Sequence, residues 1–235
     1  MPKIVDHDAR RAELAAALWR VVGRAGVAGA TVRAVADEAG WSMGALRHYF
    51  ASQGELLRFA MDTLLQDVPP RLAAHLAADL EPRERARRLL LELVPVDEER
   101  RIEAIVWLAL LERSRTDPSL AEPREIAWLG ERHICRLVVA ELLDLPAPAS
   151  PQDRFEDESS GERGAQAAGS STERGARATG PAGIAPSPEE EAEALHTFVD
   201  GITLQATTWP GEWTPAAMRA SAERQLDSVL QRAGR

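Results

Sequence analysis

The chain has one cysteine, Cys135, one lysine, Lys3, and one tyrosine, Tyr49. A single thiol excludes an internal disulfide and any zinc or iron–sulfur cage built from several cysteines. With lysine confined to position 3, no Gly-Lys-Ser/Thr phosphate loop exists, and neither His-Glu-x-x-His nor Gly-x-Ser-x-Gly occurs. Gly23, Gly26 and Gly29 are spaced like part of a dinucleotide fingerprint but follow a helical pattern instead of a strand. His133 and Cys135 are two apart, which on a helix points them to different faces. No enzyme, cofactor or metal site is expected from these patterns. Long apolar segments are missing too: the run Ile105–Leu111 falls far short of the roughly 18 to 20 residues that span a bilayer. At the amino terminus Asp6, Asp8, Arg10 and Arg11 stand where a secretory peptide needs apolar residues. A cytoplasmic protein without membrane contact is the expectation.

What is present is ample apolar material, 45% of 235 residues, with a formal charge of -9. The charge is uneven. Residues 1–60 hold eight Lys/Arg against six Asp/Glu, whereas the other 175 hold 20 against 31. Phosphate affinity comes from cations, so the amino-terminal end is where nucleic-acid contact is credible. From residue 6 to 145 apolar side chains recur three and four apart, the period of helices, with few alternating runs that would mark strands. Residues 146–188 hold six of the 16 glycines and six of the 15 prolines, with Phe155 and Ile184 as their large apolar residues. Such a segment cannot bury enough surface to offset its ordering entropy and reads as a disordered linker. Beyond it, Glu189, Glu190, Glu191 and Glu193 read as a solvated helix start, followed by helices over about 189–209 and 215–232. Thr214 and Pro215 supply the N-cap and first position of the second.

The first third carries the sharpest punctuation. A helix over about 8–25 buries Leu14, Leu18 and Val21 and stops at Gly26; Thr31 caps a short helix ending at Gly40. Ser42 caps a third over Met43–Tyr49, and Ser52-Gln53-Gly54-Glu55 reads as a capping box opening a fourth. Ala36 is small where two helices cross, Gly40 permits the turn, and Val35 with Leu46 closes a small core. Two short helices joined by a tight glycine turn are a helix-turn-helix, the second of which enters the major groove.

The stretch from Thr31 through Phe50, TVRAVADEAGWSMGALRHYF, and the following ASQGELL closely resemble the DNA-binding segment of the TetR/AcrR family of bacterial regulators. Where that family usually carries a lysine after the fourth helix cap, this chain has Gln53. Residues 93–110, with Asp97-Glu98-Glu99-Arg100-Arg101 and Val106-Trp107-Leu108-Ala109, and Val199-Asp200-Gly201-Ile202 look like the ligand-binding half of the BetI-type subgroup. The resemblance implies an all-α chain: a three-helix DNA-binding domain over 1–51 and a larger ligand-binding and dimerisation bundle. That bundle comprises an effector-binding part, 52–145, the linker, 146–188, and carboxy-terminal dimerisation helices, 189–235. It also implies a homodimeric repressor on a palindromic double-stranded DNA operator, released by a small-molecule effector.

On that reading Ser42, Met43 and Ala45 approach base edges, while Arg47, Tyr49, Thr31, Arg33 and Gln53 hold phosphates. His48 either contacts the backbone or packs on the first helix. Trp107, Trp128 and His133 are the candidate effector ligands, chosen as apolar walls with a polar group among them. Leu195, Phe198, Val199, Ile202, Leu226 and Val229 form the stripes expected to pair with a second subunit. A different class stays open: an all-helical adaptor that keeps the fold and binds proteins. Gln53 and the acidity favour the adaptor; the polar face of Arg33, Arg47, His48 and Tyr49 favours DNA.

Overall fold

The computed structural model describes residues 7–47, 49–153 and 185–234. Its helices are α1 (His7–Gly29), α2 (Val32–Ala39), α3 (Met43–Arg47), α4 (Gln53–Ala77), α5 (Pro82–Glu92), α6 (Glu98–Arg113), α7 (Ala121–Leu143), α8 (Pro188–Thr208) and α9 (Pro215–Arg232), with a 3-10 turn at Pro118–Leu120. Strands are absent among the described residues, and none of the described helices is long and apolar enough to cross a membrane.

Local chemistry explains the head, α1–α3. Gly26 adopts φ 67°, ψ 176° and breaks α1 where the sequence predicts an end, although a further turn runs on to Gly29. Thr31 Oγ1 accepts the Ala34 N–H at 3.1 Å and starts α2. Gly40, at φ 70°, ends it, and the Trp41 N–H returns to the Ala36 carbonyl at 2.9 Å; only glycine makes this left-handed ending without steric cost. Ser42 Oγ accepts from Ala45 N at 3.2 Å. The third helix is shorter than expected, closing at Arg47, with Tyr49 and Phe50 both donating to the Leu46 carbonyl in a turn. Val35, Ala36, Leu46 and Phe50 are buried against Leu14, Leu18 and Val21. The predicted capping box at α4 forms in part: Ser52 accepts from Glu55 N, but the Glu55 carboxylate accepts from Ala51 N at 2.6 Å, one residue earlier than the reciprocal arm requires.

The body is built around α7. Ile134, Cys135, Val138, Val139 and Leu142 pack on Leu89 and Leu90 of α5, Leu195 and Val199 of α8, and Leu226 and Val229 of α9. A smaller cluster joins Val94, Val96, Ile202, Ala206 and Met218. The apolar stripes of α8 and α9 therefore face inward. Leu195, Val199, Ile202, Leu226 and Val229 are buried within one chain and Phe198 packs against the same cores, which corrects their assignment to a dimer contact. The periodicity was that of a helix with one apolar face, and its own bundle claims that face.

The glutamates at the start of α8 are a second correction. Ser187 and Glu190 form a full capping box, but Glu191 is 2% exposed and paired with Arg232 at 2.6 Å. Glu189 meets the buried Arg136 at 2.7 Å and Arg132 at 3.2 Å. These carboxylates join α8 to α7 and α9 instead of facing water. Part of the expected linker is also packed: Pro148 is buried, and the Pro151 carbonyl accepts from Arg136 at 3.2 Å. The expectation of disorder for the remainder, 154–184, lies outside the described residues.

Candidate nucleic-acid interface and effector cavity

Thr31, Arg33, Ser42, Ala45, Arg47 and Gln53 are exposed on the head, and Met43 and Tyr49 are half-buried at its edge. His48 lies outside the described residues. Arg33, with a side chain 81% exposed, sits 3.9 Å from Asp37, too loose a pair to hold it. Arg47 forms no ion pair among the described residues and stands at the end of α3, as a phosphate ligand requires. Tyr49 packs edge-on against Trp41 at 5.6 Å, and Arg10 lies over that tryptophan at 5.4 Å. Met43 packs partly on the head core. Gln53 Nε2 donates to the Val27 carbonyl at 3.1 Å and so ties α4 to the end of α1. Arg20 and Arg24 are taken up by Glu38, at 2.6 and 3.0 Å, and their hydrogen bonds hold its carboxyl below the usual range. Outside those pairs the described cations of the head are Arg33 of α2, Arg47 of α3, and Arg10 and Arg11 of α1, which lie over Trp41 and Phe59.

A cavity of about 260 Å³ lies in the body between α4, α6, α7 and α8. Its walls are Met61, Leu64, Leu65, Val68 and Leu72 of α4, Ala104 and Trp107 of α6, and Ile134 of α7. Its polar lining is Glu92, Arg100, Glu103, Glu131, His133 and Thr203. An apolar chamber with few convergent polar groups is the form of a small-molecule site. Of the sequence candidates, Trp107 and His133 line it. Trp128 does not: it is 38% exposed, with Arg132 stacked 4.8 Å above its ring and His196 edge-on at 6.0 Å. It stands one turn from Glu131 on α7, outside the chamber and against the His196 ring.

Charge at the cavity is arranged by long-range pairs. Arg71 of α4 contacts Glu92 at 2.9 Å, Glu99 at 3.3 Å and Glu103 at 2.9 Å. Arg100 and His75 meet Glu92 at 2.6 and 2.8 Å. Burial pushes Glu92 upward, but hydrogen bonds from His75 and Arg100 outweigh it, so its carboxyl is held below the ordinary range. Glu103 goes the other way, raised by burial to about 7 despite Arg71. Burial raises Glu131 and lowers His133. Glu131 Oε2 and His133 Nδ1 are buried without a hydrogen-bond partner.

Two further features escaped sequence reasoning. Pro69 and Pro70 lie inside α4 and remove two backbone donors at the level of the cavity, which Pro69 helps to line. The Pro-Pro pair is legible in the sequence, but its position beside a chamber is not. Glu131, His196 and Asp200 converge from α7 and α8, their ligand atoms all within 4.8 Å of one another. The i,i+4 spacing of His196 and Asp200 was the available signal; their partner lies 65 residues upstream.

A helix-turn-helix head with an exposed polar face is joined to a helical body that holds a chamber, the build of a DNA-binding regulator. Comparison with known proteins gives the family. Residues 14–59 match the family described as bacterial regulatory proteins of the tetR family, and residues 82–157 and 166–231 match the BetI-type transcriptional repressor carboxy-terminal family. The chain belongs to the TetR family, with a BetI-type carboxy-terminal half, and is a transcriptional regulator, not an enzyme. It is 46% identical over 115 residues to the HTH-type transcriptional regulator PksA of Bacillus subtilis, a match spanning 49% of this chain and 56% of PksA. It is 32% identical over 157 residues to the HTH-type transcriptional regulator BetI of Burkholderia thailandensis, across 65% of this chain and 77% of that protein. The fold matches a Saccharomonospora viridis protein solved in complex with choline, with TM-score 0.68 and 19% identity over 96% of this chain and 97% of that one.

Proposed function

We propose that the chain acts as a homodimeric repressor that binds a palindromic operator through α2 and α3 and leaves it when a small molecule fills the body cavity. The observation that carries this reading is the double role of α6. One face lies against α1, where Gly23 allows Ile102 to approach so closely that a Cβ would sit 2.9 Å from its Cδ1. On the same side Arg101 donates to the Gly23 carbonyl at 3.2 Å. The other face puts Arg100, Glu103, Ala104 and Trp107 on the cavity. A ligand that moves α6, or bends α4 where Pro69 and Pro70 leave it short of hydrogen bonds, acts directly on the head. Differential binding to two such states is what shifts operator affinity.

Ser42, Met43 and Ala45 read base edges, and Thr31, Arg33, Arg47 and Tyr49 hold phosphates; Gln53 stands beside them at the start of α4, and His48 is kept in the set from the sequence alone. Trp107 and His133 serve the effector. Since the inner stripes of α8 and α9 are occupied, the partner subunit takes their outer faces, where Leu204 is 54% and Trp209 57% exposed. To read one face of the duplex, the two-fold there has to set the two recognition helices about 34 Å apart, one turn of DNA. The polar surface of α2 and α3 favours DNA over the protein-adaptor reading.

Selection of duplexes from a random pool tests the head: wild type enriches a palindrome and Arg47→Ala does not. Adding choline as the first effector probe, by analogy with the S. viridis complex, then tests release. Operator affinity unchanged by any ligand that binds the cavity would refute the switch, and enrichment without sequence preference would refute the operator.

A further inference from the structure

We propose that Glu131, His196 and Asp200 form a binding site for a divalent transition-metal cation of the Zn²⁺ type, bridging α7 and α8 beside the cavity. His196 is 6% exposed, yet its Nε2 has no hydrogen-bond partner; neither has the buried Glu131 Oε2 that faces it at 3.5 Å. The two can form an ion pair only when the imidazole carries a second proton, and neither makes a hydrogen bond, a state that folded proteins ordinarily avoid.

The usual remedy in this molecule is an arginine. Glu92, Glu103, Glu189 and Glu191 each meet at least one guanidinium. Glu131 and Asp200 meet none among the described residues, so two carboxylates and an imidazole share one place without a fixed cation. A bound ion would complete it. Two ligand atoms on a tetrahedral ion with bonds of about 2.1 Å stand about 3.4 Å apart, which the Glu131–His196 separation already matches. Asp200, four residues beyond His196 on the same face of α8, is exposed at the rim and is the arm free to close. One nitrogen and two oxygens suit Zn²⁺, Co²⁺ or Ni²⁺ better than Mg²⁺ or Ca²⁺, which prefer oxygen alone.

The test uses the full chain after chelator treatment. Zn²⁺ is titrated in competition with a chromophoric chelator, and Co²⁺ is added separately to follow Trp fluorescence. Wild type should bind one ion per chain through this site. His196→Ala should abolish that binding, and Asp200→Asn should weaken it tenfold or more. Because Asp200 is exposed, its variant keeps the fold and decides the matter even if His196→Ala does not. Zn²⁺ should raise the thermal midpoint of wild type more than that of Asp200→Asn. Co²⁺ should quench wild type more than Trp128→Phe, since Trp128 packs on the His196 ring at 6.0 Å. Failure to bind stoichiometrically, equal affinity in Asp200→Asn, or binding lost in Cys135→Ser but kept in His196→Ala would overturn the proposal. So would choline binding that depends on Glu131 in a chain that takes up no metal.

Discussion

The head and the body are held together by different means. In α1–α3 the helix ends are set by interactions short in sequence, Thr31 to Ala34, Ser42 to Ala45 and Gly40 in its left-handed ending, with exposed pairs of Arg20 and Arg24 to Glu38 and a small core around Val35, Ala36 and Leu46 joining the helices. In the body the corresponding links join distant segments: Arg136 to Glu189, Arg71 to Glu92 and Glu103, Arg232 to Glu191. A region that must present a fixed surface to DNA is specified by local punctuation. One that admits a ligand, as the proposed function has it, is specified by charge pairs between helices, which can be rearranged. The largest expected effect breaks this contrast on the body side. Arg136→Ala takes a buried guanidinium away from both Glu189, which keeps Arg132, and the Pro151 carbonyl, and should cost about 3–5 kcal/mol in urea unfolding. Replacing both partners with apolar residues should recover much of that loss. If the single change costs under about 1 kcal/mol, the pair is ornamental and the contrast fails.

That division also governs what was legible in the sequence. Caps and glycine stops depend on neighbours within five residues, so Thr31, Gly40, Ser42 and Ser52, and Thr214 in the body, are legible in the sequence. The cavity is not, because its lining comes from five helices and its charges from pairs separated by 8 to 32 residues. Trp107 and His133 fell on it by residue type alone, and the same reasoning put forward Trp128, which faces solvent. The stripe of α8 and α9 shows a sharper limit: periodicity reports that a face is apolar, and says nothing of whether the covering surface belongs to the same chain.

On the head side, Leu46→Ala removes a fully buried side chain from a core with little else to collapse into the space. The expected cost is about 2–5 kcal/mol, read by chemical denaturation, with operator binding lost in parallel. Loss of the body together with the head in one shared transition would mean that the two fold as one unit and that the head is not specified locally.

A pH series sharpens the comparison in the cavity. Glu103 has its folded pKa raised to about 7 from an ordinary 4.5, so the folded state binds this proton more tightly than the unfolded chain. Its contribution is fully present below about 4.5 and is lost as pH rises through 7, about 1–3 kcal/mol in all. Glu103→Gln should flatten that part of the stability profile. A cationic ligand placed against Glu103 should bind more tightly as pH rises through 7, and the Gln variant should lose the dependence. A wild-type profile flat between pH 5 and 8 would show that Arg71 holds the carboxylate ionised throughout.

The smallest effect is the most discriminating, because Thr31 and Thr214 perform the same bond in the two regions. Each hydroxyl accepts the N–H three residues on at 3.1 Å, at the start of α2 and of α9. Mutation of either to Ala should cost about 1 kcal/mol of stability. Only Thr31→Ala should also weaken operator binding at matched folded fraction, because the hydroxyl that caps α2 is exposed and retains a proton to give a phosphate oxygen. Thr214 caps α9 far along the chain from the head and has no such second partner. Equal operator affinities for the two variants would reduce Thr31 to a cap and remove it from the DNA face.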